Sequence, residues 1–175
     1  MEGLDLSVQV TKTDTTIQVK SSYNEAFIKA SRLIGGKWNA TNKSWDFPLE
    51  NEELVMRNLA EIYSYSIDNE SMVFLYIDVD KWTDYDYTDS LYLNKLLVAK
   101  REYRDSSVKL FNGAVLIQGG FKSSGGSAKY PQLNQEEGTV IRIKVLEWLA
   151  DQIMSTAKKE NKEDALQIAA LKTVI

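Results

Sequence analysis

Apolar and polar residues alternate through LSVQV and TIQVK on either side of TKTDT, a pattern that predicts an opening β-hairpin. The period then changes. Ala26, Phe27, Ala30, Leu33 and Ile34 recur at helical spacing, behind a Ser22–Glu25 pair with capping-box form. Gly35 follows at the position where a left-handed helix cap is needed. KWNATNKSWDFP divides into two short strands around residues 40–43, and Pro48 ends the second. Asn51, with Glu52 and Glu53 in the first turn, opens a helix carrying Leu54, Val55, Leu59 and Ile62 on one face. The expected unit over 1–65 is ββαββα.

Past YSIDNE the pattern becomes mostly β. MVFLYIDV is an apolar run of strand length, and LYLNKLLVAKREY reads as strands divided at Asn94-Lys95. AVLIQGGF follows a turn at Asn112-Gly113. In TVIRIKV, Ile141, Ile143 and Val145 alternate with Arg142 and Lys144, which marks a half-buried strand. Leu146, Leu149, Ile153 and Ala157 then share a helical face, and NKEDALQIAALKTVI is expected to add a second short helix. The fold class is α+β: the small N-terminal module, a mostly antiparallel β domain over 70–145, and C-terminal helices over 146–175.

Composition narrows the chemistry. The 175 residues contain neither cysteine nor histidine. This excludes disulfides, thiolate and imidazole metal ligands, cysteine nucleophiles and a Ser-His-Asp triad. No apolar run approaches the roughly 20 residues of a membrane span, and the N-terminus lacks a secretory pattern, so a cytoplasmic protein without membrane partners is expected.

The net charge of −4 conceals an uneven distribution. Lys20, Lys29, Arg32, Lys37 and Lys43 face one acid, Glu25, in their stretch of chain; Asp68 to Asp89 is acidic; Lys95 to Lys144 is again basic. A charged partner responds to such local fields more than to the sum, so nucleic acid stays open as a partner. Solvated faces without a partner explain charge runs equally well.

Three constellations can carry function. The first is the hairpin. Trp38 and Trp45 flank a turn, so alternation alone does not decide whether they share a face. Large aromatics usually pack into a core, but an exposed ring offers a base-stacking surface, and Arg32, Lys37 and Lys43 stand ready for phosphates. The second is the loop from Gly119 to Pro131. Its Gly and Ser amides can form an anion-binding concavity, with Lys122, Ser124 and Lys129 adding charge and a donor. A flexible connection is the alternative reading; Arg101, Arg104 and Asp105 extend the same basic surface, or else Arg104–Asp105 simply organises a turn. The third is Asp78-Val79-Asp80. On a strand both carboxylates would point to one side, as a Mg²⁺-dependent nuclease requires, although an acidic solvent edge is the commoner meaning of such a pair. The acidic, tyrosine-rich strip 78–89 could also imitate a phosphate backbone.

Tyr23, Phe27, Gly36, Trp38, Lys43, Trp45, Phe47 and Pro48 together resemble the HARP domain of ATP-driven annealing helicases, over about 40 residues. The resemblance implies recognition of DNA forks and strand annealing. It does not extend to a motor, because no G-x-x-x-x-G-K-[ST] loop is present. The leading expectation is therefore a non-enzymatic DNA-binding accessory protein without a cofactor. It would be encoded by a phage or mobile element and would prefer single-stranded or forked DNA to plain duplex. Its contact residues would be Arg32, Lys37, Trp38, Lys43 and Trp45, with Lys122, Ser124 and Lys129. The alternatives are a protein-binding counter-defence inhibitor using the acidic strip, and a metal-dependent nuclease using Asp78 and Asp80.

Overall fold

The structure, a computed structural model, describes residues 8–67, 70–83 and 88–171. It is of the α+β class, with helices and antiparallel sheets. The chain divides into two compact units, Met1–Asn69 and Glu70–Ile175.

In the first unit, β1 (Val8–Lys12) and β2 (Thr16–Ser21) form the expected hairpin. α1 (Glu25–Leu33) follows, then β3 (Lys37–Asn39), β4 (Ser44–Pro48) and α2 (Glu52–Tyr63). The sheet order is β1-β2-β4-β3, antiparallel throughout. Ile17, Val19, Trp45 and Phe47 point from one sheet face into a core shared with Phe27, Val55, Leu59, Ile62 and Tyr63. Phe27 sits at the centre of the aromatics, 5.4 Å from the Tyr63 ring and 6.5 Å from Phe47.

Three local expectations change. The N-cap of α1 is Asn24, whose Oδ1 accepts the Phe27 N–H at 3.2 Å, so the Ser22–Glu25 capping box is not formed. Glu25 is already the first helical residue, so Ser22 lies two positions before the cap. Leu33 and Leu54, assigned to apolar faces by spacing, are exposed, because Phe27 and Ser31 in α1 and Val55 and Leu59 in α2 define the buried stripes. Asn51 has no capping bond to α2; its Nδ2 donates to the Ile34 carbonyl at 3.0 Å and closes the end of α1. Gly35 has φ +77°, and a side chain on Gly36 would stand 2.5 Å from the Phe47 ring, so the glycine pair lets the hairpin fold back against α1.

The second unit opens with β5 (Met72–Asp78) and α3 (Val79–Thr83). β6 (Ser90–Leu93), β7 (Leu96–Lys100) and β8 (Lys109–Leu110) make a three-stranded sheet, with Asn94 in the left-handed region at the predicted turn. β9 (Val115–Gln118), β10 (Val140–Leu146), α4 (Glu147–Lys159) and β11 (Leu166–Ala170) complete it. The main sheet has the order β11-β5-β10-β9. Leu75 and Ile77 of β5, Ile141 and Ile143 of β10, and Leu149 and Ile153 of α4 are all fully or almost fully buried. The expected second C-terminal helix is instead a short 3-10 turn and the strand β11, which pairs with β5 from Leu166↔Ile77 to Ala170↔Val73. Its residues favour helix locally, and the open edge of β5 outweighs that preference. Among the described residues, no helix is long and apolar enough to cross a membrane.

Candidate nucleic-acid interface

Trp38 and Trp45 are directly paired across β3 and β4, so their side chains leave the same face of the sheet. Their ring centroids are 5.8 Å apart with planes inclined at 60°. β4 is a central strand, and the helices bury Trp45 to 8% exposure. β3 is the edge strand, and Trp38 stays 55% exposed. One tryptophan serves the core while its partner offers an open ring face.

A pocket of about 390 Å³ opens beside this pair. Phe27 and Trp45 belong to its floor. Asn24, Ile28 and Arg32, spaced i, i+4 and i+8 along α1, give one wall, and Ser22 and Tyr23 from the β2–α1 connection line it as well. Tyr63 supports that connection from beneath: its hydroxyl donates to the Ser22 carbonyl at 2.8 Å and lies 3.1 Å from Ser21 Oγ, from which it can accept. Burial pushes the Tyr63 phenol up to about 12, with the Ser21 hydroxyl acting in the opposite direction.

The cations of this unit fall into two sets. Lys12 pairs with Glu52, Lys29 with Glu25, and Arg57 with Glu61. Among the described residues, Lys20, Arg32, Lys37 and Lys43 form no ion pair, and all four are exposed. Arg32 lines the pocket together with Trp38 and Trp45. Lys37 does not, because alternation along β3 turns it to the opposite sheet face, across from Asp46. There Asp46 accepts bonds from Asn39 Nδ2 and Ser44 Oγ, both at 2.9 Å. Lys43 sits in the hairpin turn at φ 51°. The expected basic rim is thus divided between the pocket, the turn and the far face. Tyr23, 75% exposed at the pocket, is a lining residue that the sequence offered only as a motif match.

The glycine-serine loop of the second unit has a different organisation from the expected concavity. The N–H of Gly125 donates to the Arg104 carbonyl, that of Ser127 to Tyr130, that of Lys122 to Asn134, and that of Gly120 to Thr139 Oγ1. Amides engaged in this way are not available to an anion. Gly125 is required by close approach, since a Cβ there would stand 2.2 Å from the Gln132 carbonyl oxygen. At the centre lies Arg101, fully buried. Its guanidinium donates to the carbonyls of Gln132 (2.6 Å), Lys122 (2.6 Å), Leu133 (2.9 Å), Ser123 (3.4 Å) and Ser106. Desolvation lowers its pKa and the charge of Asp105 opposes that shift; an arginine stays protonated under both influences. Arg101 is therefore the internal post of the loop and no part of a basic surface. Arg104 bonds both carboxylate oxygens of Asp105, at 3.0 and 3.1 Å, and organises a turn. Lys122 and Lys129 remain exposed, Lys129 lying 5.1 Å from the Tyr130 ring centre, while Ser124 is half-buried.

No family model, curated protein or solved structure matches the chain.

Asp78 and Asp80 do not share a strand face, because β5 ends at Asp78 and α3 begins at Val79. Asp78 Oδ1 accepts the Lys81 N–H at 3.2 Å, and Asp80 Oδ2 accepts the Gly138 N–H at 2.7 Å. The described residues contain no group of three or more acidic side chains arranged to hold a metal ion. Asp84 and Asp86, the middle of the acidic strip, lie outside the described residues.

Proposed function

We propose that the protein is a non-enzymatic DNA-binding accessory factor whose first unit contacts single-stranded or forked DNA. The observation that carries this reading is the pocket in which the open face of Trp38 lies beside Arg32, a guanidinium without an ion-pair partner among the described residues. An aromatic face holds a base by stacking, and unpaired cations release counterions when they meet phosphates. Bases in a plain duplex are already stacked on each other, so such a ring favours unpaired strands or fork junctions. Lys43 in the turn and Lys37 on the far face add sequence-independent attraction, and the exposed Lys122 and Lys129, with Ser124, make a second, weaker contact. The HARP-like arrangement of Tyr23, Phe27, Gly36, Trp38, Lys43, Trp45, Phe47 and Pro48 points in the same direction.

Fluorescence anisotropy across single-stranded, forked and duplex DNA, at several salt concentrations, tests the reading. Micromolar binding that weakens with salt is expected, strongest for single-stranded or forked DNA and reduced by Lys37→Glu/Lys43→Glu. Absence of salt-sensitive binding to every DNA form would overturn it.

A further inference from the structure

We propose that the pocket beside Trp38 holds a single unpaired nucleotide, with its base on the open face of Trp38 and its phosphate on Arg32; this rests on the DNA-binding reading above and names what that site takes.

The lining divides by chemistry in the way a nucleotide does. Phe27, Ile28 and the two tryptophans are apolar or aromatic, suited to a planar ring. Ser22 and Asn24 stand along the same wall with donors and acceptors for a base edge, and Arg32 brings a positive charge. Asn24 Oδ1 is committed to the Phe27 amide, which leaves its NH₂ group as the donor on offer. The 60° inclination of the tryptophans matters here. A ring stacked on Trp38 meets Trp45 at an angle, which is the tilted arrangement that aromatic quadrupoles favour over a face-to-face sandwich.

Size limits the occupant. A volume of about 390 Å³ is near the lower end of the roughly 300–1,000 Å³ of small-molecule sites, enough for one nucleotide and too little for a stack of several. The charge argues against an apolar peptide side chain as occupant, since binding one would remove water from Arg32 without giving it a counter-charge. The wall is also firmly held. Asn24 caps α1, the carbonyl of Ser22 is fixed by Tyr63, and Trp45 is part of the core, while the exposed Trp38, Tyr23 and Arg32 have freedom to adjust.

The test compares two hexamers with the same number of phosphates, oligo-thymidine and a fully abasic strand, by competition against labelled single-stranded DNA. A base pocket predicts about tenfold weaker binding of the abasic strand, in line with the stacking of one base. A single-stranded hexamer with 2-aminopurine at each position in turn should show quenching on binding, lost in Trp38→Ala and retained in Lys29→Ala, which removes a cation already paired with Glu25. Arg32→Gln, at an exposed position without an ion pair among the described residues, should lower the slope of log affinity against log salt by about 0.7, one phosphate's share for a single strand. Equal binding of the two hexamers, with no quenching, would overturn the nucleotide pocket and leave DNA binding through the basic surface intact. Failure of both hexamers and of long DNA to bind would overturn the two readings together.

Discussion

Trp38 and Trp45 face each other across one antiparallel pair with ring centroids 5.8 Å apart, and the sheet gives them opposite fates. Trp45 stands between Val19 and Trp38 on a central strand under the helices, whereas Trp38 ends the row at the sheet edge. The same residue type at two positions in register therefore has two roles. A pair of substitutions separates them. Trp45→Ala should destabilise the first unit by about 3–5 kcal/mol, the usual range for removing a buried aromatic. Trp38→Ala should cost about 1 kcal/mol, the worth of an aromatic pair contact, while weakening single-strand binding about tenfold. Urea denaturation followed by circular dichroism measures the first effect, and anisotropy the second.

The start of α1 allows a sharp comparison. Asn24→Ala should destabilise by about 1 kcal/mol, because Asn24 supplies the side-chain cap to Phe27 N–H. Ser22→Ala should stay within about 0.5 kcal/mol, since the Ser22 group that accepts the Tyr63 bond is its backbone carbonyl. The opposite order in chemical denaturation would restore the Ser22 capping box.

Arg101→Met should loosen the 120–135 loop, because five carbonyls lose their shared donor. A loss of about 3 kcal/mol is expected, with faster tryptic cleavage after Lys122 and Lys129. Arg101→Lys keeps the charge but not the planar fork, so it should recover only part of the stability. Thermal unfolding and timed proteolysis of the three proteins check this directly.

Tyr63 gives an alkaline limb to stability. Its phenol ionises near the ordinary value of about 10 when unfolded and at about 12 when folded. Its contribution is thus fully present below pH 10 and is lost as the pH rises from 10 to 12, by at most about 3 kcal/mol. Tyr63→Phe should flatten that limb. At neutral pH the variant should cost about 1 kcal/mol for the lost bond to the Ser22 carbonyl. Denaturant midpoints of both proteins between pH 8 and pH 12 measure the difference, in which the shared titration of lysines cancels.

Local pattern sufficed for much of this protein. The hairpin of Val10 and Val19, the helix around Leu59, the turn at Asn94 and the buried row Ile141, Ile143 and Val145 all follow from periods and turn residues a few positions apart. Cysteine and histidine are absent whatever the fold. Other features needed distant parts of the chain. Leu166–Ala170 looks helical in isolation and becomes a strand because β5 presents unpaired backbone groups to it. Arg101 reads as part of a basic surface, and its burial depends on carbonyls up to 32 positions away in sequence closing around it. The separation of Lys37 from Arg32 required the register of β3 on β4, and the strand order, with β4 central and β3 at the edge, set which tryptophan the helices cover. The sequence by itself determined that two tryptophans, an arginine and lysines lie close together on a hairpin and the helix before it. Only the tertiary structure decided that Trp45 goes to the core, that Trp38 stays open, and that Arg32 is the cation beside it, because burial is a property of neighbours and the chain cannot encode it locally.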